Sequence, residues 1–218
     1  MLKFLRQKTS LLTTLVLLTL AGQLNAHPHV WIDLRTKPVI NDRGELLGLE
    51  QAWRFDPFYS LVLIEELEKG GAAEELEERY DQLAWEIVKN LNSVNFFTQG
   101  KAELMASQWA EVTESTLLKV GARIELRFFL PLVEPLLVKE ATFSYQVYDP
   151  SYYIEMLHAK EGGLDRTGLK PTCELSLEVA TPSPDLIQQA LALDKTQVAD
   201  DPQLGKYFAE RVNLDCLE

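Results

Sequence analysis

The sequence predicts an α+β protein, with an antiparallel β-sheet or sandwich, a helical insertion, and helices packed on one side. Apolar and polar residues alternate near both ends of the chain, which is typical of half-buried strands, and an early stretch has helical spacing instead. Strands and helices do not alternate regularly. A parallel α/β sheet is therefore not indicated.

The first element is a predicted β-hairpin. From His29 to Val39 every second residue is apolar, which predicts a strand with His29 and Asp33 on its polar face. Asn41-Asp42-Arg43-Gly44 has the composition of a turn. Residues 46–55 then form the returning strand.

Two helices follow the hairpin. Asp56 and Pro57 predict an N-cap with proline in the first helical position, and this helix continues to Lys69, before Gly70-Gly71. A second helix is indicated by apolar residues at helical spacing, beside an acidic outer face. These apolar residues are Leu76, Tyr80, Leu83, Ile87 and Leu91.

The rest of the chain is predicted to be mainly strands. They cover residues 103–109, 111–118, 122–130, 140–148, 173–181 and 211–217. Pro131 and Pro135 predict a loop between two of these strands. Ser183-Pro184-Asp185 predicts a short helix to Leu193, and Asp201-Pro202 predicts the start of another.

Residues 1–26 have the pattern of a secretory signal peptide. Three basic residues precede a run of 12 apolar or small residues, which is too short to span a bilayer, since a spanning helix takes about 20 residues. Cleavage after Ala26 leaves residues 27–218 as a single domain. In a Gram-negative bacterium this domain would lie in the periplasm, with no membrane insertion after processing.

Charge and missing motifs exclude several classes of function. The net charge is −12, and it becomes −15 once the three basic residues of the leader are removed, so binding to nucleic acid is not expected. The chain has no GxSxG, GxGxxG, GxxxxGK[ST], HExxH or CxxC motif. We therefore predict a binding protein and not an enzyme.

The two cysteines, Cys173 and Cys216, both lie in alternating segments and fall on the apolar positions. In an oxidising compartment such a pair is most simply a disulfide. Neither a CxxC spacing nor an adjacent histidine supports a metal site at these positions.

The candidate metal site is the mature N-terminus. Signal cleavage would give His27 a free α-amine, which chelates one ion together with its own imidazole, and His29 projects to the same face of the strand. Nitrogen donors of this kind suit copper, nickel, cobalt or zinc. Pro28 has no N–H to lose, which excludes a site built on deprotonated amides. Further candidate ligands are Asp33, Asp56, Asp149 and His158.

A short pattern, aromatic-Asp-Pro-x-Tyr, occurs twice. It covers residues 55–59 and 148–152, each at the end of a predicted strand. Either Asp-Pro is a convenient strand exit used twice, or the two segments lie at the same rim of the sheet. The second interpretation would bring Asp56 and Asp149 together.

Four segments resemble a bacterial family labelled "ABC-type uncharacterized transport system, periplasmic component". They are Ala26-His27-Pro28-His29-Val30-Trp31-Ile32-Asp33, the residues 53–60, 130–136 and 147–153. The resemblance covers nearly all of the mature chain. Members are typically encoded beside nickel/cobalt- or zinc-type permeases, so it implies an accessory role in metal transport. It implies no catalytic residues.

The leading hypothesis is a periplasmic metal-handling protein that exchanges a divalent ion with an inner-membrane permease. One alternative is a copper enzyme built on the N-terminal histidine chelate, for which His158 is the one remaining histidine ligand. Another is a partner of a permease that docks through exposed aromatic side chains without a metal.

Overall fold

The computed structural model describes residues 28–102, 105–139, 141–193 and 199–216. Their secondary structure is α+β, as predicted. The elements are β1 (Val30–Ile40), β2 (Glu45–Phe55), α1 (Pro57–Lys69), α2 (Leu76–Asn92), β3 (Thr98–Ala102), β4 (Met105–Ala106), β5 (Ser115–Val120), β6 (Arg123–Leu137), β7 (Phe143–Val147), β8 (Ile154–His158), β9 (Glu174–Glu178), α3 (Pro184–Ala192) and β10 (Arg211–Asp215). The predicted signal peptide and His27 lie outside the described residues.

The strands form two five-stranded sheets. The first sheet has the order β5-β6-β2-β1-β8, and the second has the order β4-β3-β7-β10-β9. All neighbours are antiparallel except β1 and β8, which run parallel. Buried residues of both sheets and of α1 and α2 belong to one hydrophobic cluster, which includes Trp53, Ala84, Leu126 and Tyr145. The helical insertion between β2 and β3 therefore packs on the same core as the sheets.

The hairpin and the first two helices form as predicted. β1 pairs with β2 around a turn in which Gly44 has φ 82°. Asp56 caps α1, Pro57 is its first residue, and Gly70 is its C-cap. In α2 the most buried side chains are Tyr80, Ala84, Val88 and Leu91. Leu76, Leu83 and Ile87 pack against the core from its edge.

Several predicted strand boundaries are wrong. The strand expected at 103–109 is reduced, in the described residues, to β4, and the preceding β3 was not predicted because its sequence, TQGKA, has no apolar alternation. The strand expected at 111–118 begins four residues later, at Ser115. β8 was also missed, since its pairing with β1 depends on a crossover between the two sheets. Asp201-Pro202 leads only to a short 3₁₀ helix, Leu204–Tyr207.

The loop predicted around Pro131 and Pro135 is a strand instead, because β6 runs through both prolines. Pro131 lies opposite Gly48, where the register between β2 and β6 shifts. A Cβ on Gly48 would overlap the carbonyl oxygen of Leu130. A bulge of this kind accommodates a proline that cannot donate to the ladder.

Cys173 and Cys216 form a disulfide, as predicted. It joins the segment before β9 to the residue after β10, and these two strands are neighbours in the second sheet. The end of the described chain is thereby tied to the core. No helix in the described part of the chain is long and apolar enough to cross a membrane.

Candidate functional site

The start of β1 is held from both sides by the two Asp-Pro segments. On one side the amide of Asp56 donates to the carbonyl of Trp31 over 2.9 Å. On the other side the amide of His29 donates to the carbonyl of Tyr153, also over 2.9 Å. The two segments therefore converge on residues 29–31, which agrees with the second of the two interpretations of the repeated pattern.

One correction applies to that prediction. Asp56 follows β2 in the first sheet, whereas Asp149 follows β7 in the second, so the two strands are not equivalent members of one sheet. They come together because β1 pairs with β2 on one edge and with β8 on the other. β8 begins at Ile154, directly after the second Asp-Pro segment.

Asp56 connects β1 with the beginning of α1. Its Oδ1 accepts the amides of Phe58 and Tyr59, both over 2.9 Å, and its Oδ2 lies 3.5 Å from the amide of Trp31. This is the usual N-cap arrangement, in which a side-chain oxygen satisfies amides that the first helical turn leaves free. The cap fixes α1 next to residues 29–31.

Asp149 uses both carboxylate oxygens. Oδ1 accepts the amide of Ser151 over 2.9 Å, Oδ2 accepts the amide of Ile154 over 3.0 Å, and the Ser151 hydroxyl lies 2.8 Å from each oxygen. The turn also places Tyr152 at φ 59°, a conformation that non-glycine residues rarely adopt. The turn leads directly into β8.

Four aromatic side chains around this point are exposed, and we call them the N-terminal patch: Trp31, Phe58, Tyr59 and Tyr153, at 48%, 77%, 40% and 41% exposure. The ring of His29 lies 4.9 Å from the ring of Tyr153. Burial raises the pKa of the Tyr59 hydroxyl, and the charges of Glu66 and Asp56 raise it further. The start of β1 is thus bordered by solvent-facing aromatic rings.

The carboxylates predicted as metal ligands have other partners. Asp33 forms an ion pair with Arg123, whose guanidinium also donates to the carbonyls of Arg54 and Phe55. Asp56 and Asp149 accept hydrogen bonds from backbone amides, as described above. His29 remains at the start of β1, on the same face of the strand as Asp33.

His158 lies away from the start of β1. It pairs with Leu34, four residues along β1 from the pair Val30 and Ile154, a distance of about 13 Å along a strand. Its position in the ladder places its side chain on the buried face, and the residue is only 8% exposed. The structure therefore does not bring His158 and His29 together.

His158 belongs instead to a buried polar network between the sheets. Its Nδ1 lies 2.9 Å from Oε2 of Glu210, and its Nε2 lies 3.2 Å from Oγ1 of Thr36, which in turn is 2.7 Å from the hydroxyl of Tyr145. Burial alone would raise the pKa of Glu210, but the hydrogen bonds from the side chain and amide of His158 outweigh it and lower that pKa. The network ties β1, β7, β8 and the start of β10 together.

No group of three or more His, Cys, Asp or Glu side chains is arranged to hold a metal ion within residues 28–102, 105–139, 141–193 and 199–216. Of the predicted ligands, His27 falls outside these ranges. The candidate site therefore consists, in the described residues, of His29 and the surrounding N-terminal patch.

Residues 12–216 match the family described as "Protein of unknown function (DUF1007)". The chain belongs to this family. It is also 28% identical, over 193 residues, to a protein of Haemophilus influenzae described as "Uncharacterized protein", and the match covers 88% of this chain and 91% of that relative. No solved structure matches it. For DUF1007 these descriptions name no activity, metal or partner.

The polar network of this DUF1007 member was missed from the sequence. Thr36 and Tyr145 lie on strands that looked like ordinary alternations, and Glu210 is 52 residues from His158. No local pattern links these positions. The two Asp-Pro segments, by contrast, were visible because each carries its own turn chemistry.

Proposed function

We propose that this protein is a periplasmic accessory protein of a metal transport system, which binds a divalent transition metal at its mature N-terminus and exchanges it with an inner-membrane permease. The observation that carries the proposal is the position of His29. It lies in a segment held by Asp56 and Tyr153 on opposite sides and bordered by exposed aromatic rings.

A rigid support favours binding, because a ligand that is already ordered loses less conformational entropy when it coordinates. The amide of His29 is hydrogen-bonded to the carbonyl of Tyr153, and its ring packs near the ring of that residue. His27 would supply the amine and a second imidazole two residues earlier in the sequence. Nitrogen ligands of this kind give copper the highest intrinsic affinity, while nickel, cobalt and zinc also fit.

The rest of the molecule suits an exchange protein. A net charge of −15 after processing would raise the local concentration of cations. The N-terminal patch offers aromatic side chains, which are enriched at protein interfaces, directly beside the proposed metal site. A permease that docks on this patch would meet the metal at the interface.

A second candidate function, docking without a metal, is favoured by the same patch together with the engagement of Asp33, Asp56 and Asp149 in other bonds. A copper enzyme receives less support. It needs a third histidine held near the N-terminus, and His158 is bound to Glu210 and Thr36 between the sheets.

The test compares two forms of the same chain by calorimetric titration with Cu²⁺, Ni²⁺, Co²⁺ and Zn²⁺. One form is exported and processed, with its first residue verified by mass spectrometry, and the other carries a Met or a tag before His27. We expect the extension to weaken binding by at least 10-fold, because it converts the amine to an amide. His29→Ala should weaken binding less, since the chelate of His27 remains.

Glu77→Gln on the exposed face of α2 is the matched control, and it should leave the affinity unchanged if the acidic surface only attracts ions. Binding should weaken as the pH falls, because amine and imidazole must both lose their protons to coordinate. Equal affinity for the processed and extended forms would overturn the proposal. It would leave docking without an N-terminal metal as the remaining candidate.

A further inference from the structure

The outer face of the first sheet carries a groove of about 790 Å³, and the described residues that line it include none of the candidate metal ligands. Strands β1, β2, β6 and β5 form its floor, and the segment 162–166 and Glu114 contribute to its walls. A volume of this size is typical of sites for small molecules.

One row of residues across the floor has an arrangement suited to an anion. The strand register places Arg35, Ala52, Arg127 and Thr116 side by side on four neighbouring strands. The two arginines are separated by one strand, so their backbones are about 10 Å apart. Ala52 between them presents only a methyl group, which leaves open the space that two long guanidinium side chains can reach.

Both arginines have guanidinium N–H groups that could donate hydrogen bonds to an anion. Among the described residues, no side-chain hydrogen bond or ion pair involves the guanidinium of Arg35, which is exposed. This guanidinium lies beside Gly162, whose φ of +68° suits glycine. Arg127 donates from Nε to Glu125 and pairs with it through Nη2. Its Nη1 has no partner in the part of the chain that the structure describes.

Two of the four acidic residues that line the groove are paired with basic side chains. Glu125 is buried between Arg54 and Arg127. Burial acts to raise its pKa, but the hydrogen bonds from the two arginines prevail and lower it, so one carboxylate charge faces two guanidinium charges. Glu50 is paired with Lys37 over 3.1 Å.

Two further carboxylates lie at the walls. Asp165 accepts hydrogen bonds from the side chain and the backbone amide of Thr167, and these bonds lower the pKa of Asp165. Glu114 has no partner among the described residues. Both add negative charge to the rim, so an anion would be favoured in the middle of the floor and not at the edges.

We infer that the groove binds a small organic anion whose carboxylate or phosphate group lies between the guanidinium groups of Arg35 and Arg127. A planar guanidinium matches either group with two parallel hydrogen bonds. The hydroxyls of Ser115 and Thr116 also line the groove and add donors at the β5 side. This inference is independent of the proposed metal function.

Calorimetric titration of the processed, metal-free protein at low ionic strength tests the inference, with succinate as the carboxylate probe and inorganic phosphate as the phosphate probe. Arg35→Gln removes the free guanidinium and should weaken binding at least 10-fold. Ala52→Leu keeps every charge but fills the floor between the arginines, and it should have a similar effect. Arg35 is exposed and Ala52 is half-buried, and urea unfolding of each variant verifies the fold.

Arg43→Gln is the matched control, because Arg43 lies in the β1–β2 turn, outside the groove, and is 79% exposed in its side chain. It should bind like the unmodified protein. Saturable binding of succinate alone would identify a carboxylate ligand, and binding of phosphate alone a phosphorylated one. The inference is overturned if neither probe binds, or if Arg35→Gln and Arg43→Gln bind equally well.

Discussion

The two Asp-Pro-x-Tyr segments begin with the same chemistry and end in different structures. After Asp56 the chain forms α1, a helix of 13 residues, whereas after Asp149 it makes a tight turn into β8. Both aspartates accept backbone amides two residues ahead. The shared motif therefore specifies the exit from a strand and not the element that follows.

The surroundings account for the difference. Phe58 is largely exposed, while Tyr152 is buried and stacks on Phe208 at 4.1 Å between ring centres. A residue outside the second segment also holds its turn, since the amide of Gly205 donates a hydrogen bond to the carbonyl of Pro150. The first segment is thus a capped helix with a free surface, and the second is a packed turn.

The largest expected effect comes from Gly205→Ala. A Cβ at this position would overlap the carbonyl oxygen of Asp149, and backbone atoms of a packed turn have little room to shift. We expect a loss of about 3 kcal/mol in the free energy of unfolding, measured by urea denaturation. Gly121→Ala, which has open space but φ +64°, is the control for conformation alone and should cost about 1 kcal/mol. Equal losses would show that the turn is not tightly packed.

Asn replacements separate the two aspartates. Asp149 needs both carboxylate oxygens, so Asp149→Asn places an NH₂ group against the amide of Ser151 or Ile154 and should cost about 1–3 kcal/mol. Asp56 needs mainly Oδ1, and asparagine is an equally good N-cap, so Asp56→Asn should cost only a few tenths of a kcal/mol. Similar free energies of unfolding for the two variants would contradict the comparison.

The tyrosines of the two segments should differ at alkaline pH. Burial raises the pKa of Tyr152 from 10.0, and the charge of Glu155 and the hydrogen bond to it raise it further. A raised pKa means that the folded state holds the proton more tightly, so this stabilisation is complete below pH 10 and is lost as the pH rises above it.

Urea unfolding between pH 8 and 11 measures this effect. Tyr152→Phe should reduce the loss of stability above pH 10, although it also removes the 3.0 Å hydrogen bond to Glu155. Tyr59→Phe should change the slope less, because Tyr59 is 40% exposed. A steeper loss in Tyr152→Phe than in the unmodified protein would contradict the assignment.

The smallest effect is expected from Phe58→Ser in the N-terminal patch. Phe58 is 77% exposed, and an exposed substitution away from any special feature changes stability by about 0.5 kcal/mol or less. Thermal unfolding measures it. A larger loss would show that the first segment is packed like the second.

The sequence predicted those parts of the fold whose signals are local. The β1–β2 hairpin follows from its alternation and from the turn before Glu45, and α1 follows from Asp56 and Pro57. Each of these signals lies within a few residues of the structure that it specifies. The two strand exits at Asp56 and Asp149 were visible for the same reason, whereas their convergence on β1 was one of two open interpretations.

The parts that were missed depend on distant residues. In β3, Gly100 packs against the ring of Trp109. Because the ring fills the place of an apolar side chain at Gly100, the sequence of β3 shows no alternation of apolar and polar residues. β8 places His158 on its buried side, where Glu210 satisfies it from 52 residues away. The partners of the candidate ligands could not be predicted for the same reason. Asp33, for example, forms its ion pair with Arg123, which lies on another strand.

The central claim is that a metal binds at the mature N-terminus, between the two Asp-Pro segments. The most direct measurement adds substoichiometric Cu²⁺ to processed, ¹⁵N-labelled protein and records which amide signals broaden, because a paramagnetic ion affects only nearby nuclei. The account predicts selective broadening of Val30, Trp31, Tyr153 and Ile154, which surround His29. Broadening centred on the acidic face of α2, or on β8 near His158, would contradict it.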